Sequence, residues 1–193
     1  EHHGLLGRGA VFAHAVHLDE RQWQRLAATG SGVAHCPTSN LFLGSGLFSV
    51  REAKRHRRPV RTGLGTDVGA GTSLSLTQTM NEAYKVGQLR GHPMDGTELF
   101  HLATLGGAEA MGLDGRVGSL APGHEADFVV LDPTATRLLS ARTAESESVD
   151  DVLFALALLG DDRAVAATYV EGRLAHERSP CPDPKPERAQ RDR

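Results

Sequence analysis

The chain has 193 residues, 39% of them apolar and 23% charged, with a formal net charge of −3. That is globular material long enough to bury a core, and the charge balance argues against a nucleic-acid groove or a basic membrane patch. The longest apolar run, Val152 to Leu159, is far too short to span a bilayer.

Glu1-His2-His3-Gly4 has neither the basic nor the apolar region of a secretory signal. Two cysteines, Cys36 and Cys181, make no disulfide framework, so a cytoplasmic location is expected. A chain opening on Glu1 rather than Met is expected to continue something upstream.

Ala10 to His14 reads as a short buried strand. Asp19 is placed to cap a helix with Trp23, Leu26 and Ala27 on one stripe, ending near Gly30. Gly32 to His35 is a second strand, Leu47 to His56 the next helix, stopped by Pro59, and Val60 to Gly65 a third strand running into Thr66-Asp67. Strands alternating with helices predict βαβ units and a parallel sheet, an α/β fold. Ser73 to Leu89 and Asp95 to Met111 read as two helices, the second with Asp95 and Glu98 as a capping pair. From Gly118 to Asp132 the pattern turns to β, with Phe128 to Leu131 as an apolar strand. Val152 to Leu159 is a buried helix or strand, which periodicity does not decide. Ala166 to Leu174 predicts a hairpin turning at Gly172. Four of the nine prolines lie between Pro180 and Pro186, and this tail is expected to be disordered.

Three successive strands thus deliver His14, His35 and Asp67 at or just past their carboxyl ends, where parallel α/β sheets build their sites. Their separations, 21 and 32 positions (14 to 35, 35 to 67), each suit one strand-helix-strand step. His and Asp are also the residue types that bind zinc and move protons near neutral pH. A single strand-end histidine is ordinarily a hydrogen-bonded structural residue, but three coincidences favour function. Other motifs are excluded by spacing. Gly63 to Gly69 is one residue too long for a dinucleotide fingerprint, and neither a P-loop nor a G-x-S-x-G elbow occurs. Cys36 is expected to be a buried, inert thiol. The glycines around Asp67 allow a sharp turn and leave room for a planar ligand.

A deficit accompanies the pattern. A catalytic zinc needs about three protein ligands, and this chain offers Asp67 with at most two well-placed histidines. His2, His3 and His17 lack the spacing to complete a site.

The stretch Val33-Ala34-His35-Cys36-Pro37-Thr38-Ser39-Asn40-Leu41 with Leu43 to Gly46 resembles the seventh-strand loop of the amidohydrolase superfamily's deaminase and chlorohydrolase branch. Gly63-Leu64-Gly65-Thr66-Asp67 is similar to its eighth-strand motif, and Phe12-Ala13-His14 with His17-Leu18 to its sixth-strand histidine. Asn81 to Val86, Leu102 to Ala108 and Gly118 to Asp127 continue the likeness, which runs from about Gly4 to Arg178 and looks most like the guanine-deaminating members.

The resemblance implies the C-terminal part, about strands 6–8, of a metal-dependent (β/α)8 TIM barrel plus the C-terminal strands of a small β-sandwich. Residues 1–117 would belong to the barrel, 118–178 to the sandwich and an associated helix, and 179–193 to a disordered tail. The implied reaction is zinc-dependent hydrolytic deamination of guanine to xanthine and ammonia. Asp67 would be a zinc ligand, a catalytic proton carrier and a substrate contact. His14 would be catalytic and substrate-binding, and His35, with Asn40, would shape the pocket wall. The branch's first-strand His-x-His and fifth-strand His-x-x-Glu are absent, so the other ligands of the one zinc are expected in an N-terminal part and the chain is expected to be inactive alone. The partners implied are a small-molecule purine and, for the full-length enzyme, a second copy in a homodimer, with no nucleic acid and no membrane. Two alternatives stand beside this: another aminohydrolase of the branch, acting on S-adenosylhomocysteine or triazine-type substrates, and a non-catalytic half-barrel binding subunit.

Overall fold

A computed structural model of the chain describes residues 2–179. The tail expected over 179–193 lies outside the described residues, apart from Ser179.

Strands β1 (Val11–Ala13), β2 (Gly32–His35) and β3 (Arg61–Leu64) form a parallel sheet in that order, with Phe12 opposite Val33 and Val33 opposite Thr62. Helix α1 (Glu20–Thr29) joins β1 to β2, and α2 (Pro37–Phe42) and α3 (Val50–Lys54) join β2 to β3. The expected cap starts α1. The Asp19 carboxylate accepts from the Gln22 N–H at 2.8 Å, and the Gln22 side chain accepts from the Asp19 N–H at 2.8 Å. Gly30 ends the helix in the left-handed conformation, φ 71°. Trp23 and Leu26 then bury against a core shared with Val33 and Phe48.

The second loop differs from expectation. Helix α2 is additional, started by Pro37 in its first turn, where a missing N–H costs nothing. The helix predicted from Leu47 to His56 contracts to α3, because Phe48 leaves the helical path to fill the core. The Ser49 hydroxyl then caps α3 by accepting from the Glu52 N–H at 3.2 Å.

Helix α4 (Leu76–Leu89) follows, but the helix predicted over 95–111 breaks at Thr104 (φ −124°, ψ −95°) into α5 (Gly96–Ala103) and α6 (Leu105–Met111). Close approach of glycines accompanies the break. A Cβ on Gly63 would sit 2.5 Å from the Gly107 Cα, and one on Gly106 would sit 2.6 Å from the Thr62 carbonyl oxygen. Only bare backbone lets α6 lie this close to β3. Asp95 caps α5 as expected, accepting from the Glu98 N–H at 2.7 Å. The Glu98 carboxylate, however, turns away to His92 at 3.0 Å and to Lys54. Replacing Gly63 with Val is therefore expected to cost about 3 kcal/mol through backbone displacement. At this chain length that is a fall in Tm of about 6–12 °C in a thermal melt. An unchanged Tm would contradict the close packing.

A second sheet is antiparallel in the order β4 (Phe128–Leu131), β5 (Val165–Val170), β6 (Arg173–Glu177). The β5–β6 hairpin turns at Glu171 and Gly172, both at positive φ (49° and 74°), as a type I′ turn requires. Of the β pattern expected from Gly118 to Asp132, only β4 is strand. Between β4 and β5 lie α7 (Arg137–Ala144), which the sequence pattern did not suggest, and α8 (Val149–Leu159). The apolar run from Val152 is thus helical. Its start is set by a box in which Ser148 accepts from the Asp151 N–H at 3.1 Å and Asp151 accepts from the Ser148 N–H at 3.0 Å. Arg178, past β6, donates to Asp132, past β4, at 2.7 Å. That guanidinium, helped by Thr134, pushes the Asp132 carboxyl down to about 2. Among the described residues no helix is long and apolar enough to cross a membrane.

Candidate active site

Strand β1 stops one residue short of expectation, at Ala13, and His14 (φ 73°) and Ala15 (φ 50°) turn into the left-handed region. The His14 N–H still donates to the Ala34 carbonyl at 2.9 Å, so β2 holds the turn in place. Past β3, Asp67 is also left-handed, φ 49°. Gly71 closes the loop that carries it: its N–H donates to the Asp67 carbonyl, and a Cβ at Gly71 would lie 1.9 Å from the Thr66 carbonyl oxygen. Among the described residues only Glu171 shares this conformation without being glycine. Backbone strain collected past the carboxyl ends of two strands of one sheet is an arrangement met at functional sites.

The turns bring two of the three predicted residues together. His14 Nε2 lies 3.7 Å from Asp67 Oδ2, with the side chains 41% and 36% exposed, so both are open to a ligand. The other ring nitrogen, Nδ1, is 2.8 Å from Asn40 Oδ1, which α2 presents from beneath, with Asn40 only 2% exposed. Asn40 matters more here than the sequence suggests, since its reach depends on the short helix that Pro37 starts.

His35 lies elsewhere. It shares the face of β2 occupied by Val33, is fully buried, and stacks on Phe48 with ring centroids 4.6 Å apart and planes 25° apart. Burial pushes its imidazole down to about 3, and neither ring nitrogen has a hydrogen-bond partner. It is a neutral ring in the apolar layer behind the strand, not joined to His14 or Asp67. Cys36 projects to the opposite face, against Gly65, where an added Cβ would stand 3.1 Å from its Sγ. Cys36 is 2% exposed, and burial, with the nearby Asp67 charge adding to it, raises its thiol pKa despite a hydrogen bond from the His14 backbone. A buried thiol held protonated is a poor nucleophile.

His14 and Asp67 are two donors, short of the three that a catalytic zinc takes from its protein. His17 is engaged otherwise, its Nε2 lying 2.8 Å from the Ser45 carbonyl oxygen. Among the described residues no group of three or more His, Cys, Asp or Glu side chains could hold a metal ion. By itself, then, this set does not fit zinc. Four buried polar atoms of the same neighbourhood also lack partners: both His35 nitrogens, Thr38 Oγ1 and Asn40 Nδ2. A cleft of about 490 Å³ runs beside β1, walled by Leu6, Phe12, Val16, Leu18 and Leu26, and reaches His14 but not Asp67. It is an apolar flank of the site rather than the space between the two side chains.

The sequence profile of the Amidohydrolase family matches residues 2–175. Guanine deaminase of Escherichia coli (strain K12) is 54% identical over 177 residues, covering 92% of this chain and 40% of the relative. A probable guanine deaminase of Deinococcus radiodurans is 44% identical over 182 residues, covering 92% of this chain and 41% of the relative. The solved structure of the E. coli guanine deaminase superposes with a TM-score of 0.88 at 53% identity, over 92% of this chain and 41% of that one. The chain therefore spans about 40% of the length of the relatives it matches.

Proposed function

This chain belongs to the amidohydrolase family, and on that premise we propose that it carries the C-terminal part of a guanine deaminase, which hydrolyses guanine to xanthine and ammonia. In this reading β1, β2 and β3 are strands 6, 7 and 8 of a (β/α)8 barrel, within residues 1–117. Residues 118–178 are the chain's share of a small β-sandwich. The observation that carries the reading is the meeting of His14 and Asp67 past the carboxyl ends of β1 and β3, where such barrels place their chemistry. The 54% identity to an enzyme named for this reaction supports the choice of substrate.

Asp67 would be this chain's donor to a single zinc, the other ligands lying in the part of the relatives that this chain does not match, and the metal would supply a bound water acidic enough to attack at neutral pH. The Asp67 carboxylate takes one proton from the attacking water as the water oxygen bonds to the amino-bearing carbon of guanine. The protonated carboxyl returns that proton to the amino nitrogen, the C–N bond breaks, and ammonia leaves. The second water proton stays with xanthine, on a ring nitrogen. His14, with Nε2 facing Asp67 Oδ2, touches the same water and orients it for attack. The apolar cleft along β1 receives the preceding part of the barrel, which keeps bulk water from that side.

A complete enzyme containing this chain, offered guanine, adenine, S-adenosylhomocysteine and a triazine, is expected to release xanthine and ammonia in equal amounts from guanine. Its kcat/KM for guanine should exceed the others by roughly 100-fold or more. Preference for S-adenosylhomocysteine or the triazine would place the chain in another aminohydrolase of the branch. No turnover of any of them would leave a non-catalytic subunit.

A further inference from the structure

We propose that Asn40 is a positioning residue that fixes the tautomer of His14, keeping the proton on Nδ1 and leaving Nε2 as a bare acceptor facing Asp67. The contact is 2.8 Å between His14 Nδ1 and Asn40 Oδ1. An amide oxygen has no proton to give, so the ring nitrogen opposite must donate. Neutral imidazole carries a single N–H, and placing it on Nδ1 strips Nε2 of its proton.

The backbone that carries this amide is held from several sides. Asn40 is 2% exposed, its N–H donates to the Cys36 carbonyl at 3.1 Å, and its own carbonyl accepts from the Ser45 N–H at 2.9 Å. Pro37 anchors the helix that carries it. On the other side, the left-handed backbone at His14 and its bond to the Ala34 carbonyl fix the ring's point of attachment. Free imidazole side chains favour the opposite tautomer, with the proton on Nε2, so the orientation is imposed and not merely permitted.

For the proposed chemistry, on which only this consequence rests, a bare Nε2 accepts a hydrogen bond from the attacking water. That leaves a water lone pair free to reach the amino-bearing carbon. With the other tautomer, Nε2–H would occupy that lone pair.

The test is long-range ¹H–¹⁵N correlation spectroscopy on the full chain with ¹⁵N-labelled histidine, at a pH well above the histidine range. The His14 signals are assigned by their loss in His14→Gln. Wild type should show a protonated Nδ1 and an unprotonated Nε2. Asn40→Asp, which keeps an acceptor oxygen, should keep that pattern, and Asn40→Leu should lose it. An Nε2–H pattern in wild type overturns the proposal without recourse to any variant, as does an unchanged pattern in Asn40→Leu. In a complete enzyme, Asn40→Leu should lower kcat about 10- to 100-fold with KM nearly unchanged, and Asn40→Asp should recover part of the loss. A raised KM at constant kcat would mean a wall residue only. If wild type shows the expected tautomer but no deamination, the proposed function fails while the role of Asn40 stands.

Discussion

Asp67→Ala, made in a complete enzyme that contains this chain, is expected to abolish guanine deamination while leaving the fold intact. Loss of a positioned proton carrier alone costs about 10²- to 10⁴-fold, and loss of a metal donor adds to that. The fold should survive because the carboxylate is 36% exposed and pairs only loosely with His14, at 3.7 Å. The left-handed backbone at Asp67 suits Ala less well than Asp, a penalty on the order of 1 kcal/mol. Asp67→Asn separates charge from shape. It keeps the size and the backbone preference but can neither carry the proton nor offer an anionic ligand, so it should be nearly as inactive as Asp67→Ala. Steady-state rates beside thermal melts of the three proteins decide the matter. Retention of most activity in Asp67→Asn would contradict the assigned role.

The second large effect is on stability in acid. His35 is buried without a partner, and burial holds its imidazole at about 3, against an ordinary value of 6.5. Above pH 6.5 the ring is neutral in both folded and unfolded chains and stability does not depend on it. As pH falls through the window from 6.5 to about 3, the unfolded chain binds a proton that the folded chain refuses, so stability drops. At about 1.4 kcal/mol per pH unit the whole window amounts to on the order of 5 kcal/mol, a large share of a typical domain's stability. His35→Phe keeps a ring on Phe48 and removes both orphaned nitrogens. Its denaturant midpoint should therefore match or exceed wild type at neutral pH and fall less steeply toward pH 4. Parallel profiles for the two proteins would contradict the buried, unpaired placement.

The first sheet was legible because its signals are local. Asp19 with Gln22 and Gly30 bracket α1, and the strand ends are spaced for one crossover each, which is why His14 and Asp67 could be paired from spacing. The facing of His35 was not legible. Gly32-Val33-Ala34-His35 has no polar alternation, so nothing in it tells which side meets the helices, and the structure turns His35 toward Phe48 and Cys36 toward the site. The contact of Asn40 with His14 was not legible for a related reason: α2 is six residues long, too short for a periodic pattern, and only Pro37 marks its start. The break at Thr104 is tertiary in origin. It lets Gly106 and Gly107 reach Thr62 and Gly63, and no property of the stretch 95–111 alone predicts it. The ambiguity of Val152 to Leu159 was resolvable, since the box of Ser148 and Asp151 is written in the sequence as a helix start.

The most direct test of the account compares zinc content and guanine deamination of the purified 193-residue chain alone and co-expressed with the portion of the E. coli relative that it does not match. The two-donor site predicts neither stoichiometric zinc nor turnover for the chain alone. For the complemented protein it predicts one zinc per complex and xanthine formation, both lost in Asp67→Ala. Stoichiometric zinc and deamination by the chain alone, or a complemented protein that binds zinc and turns over guanine without Asp67, would contradict it.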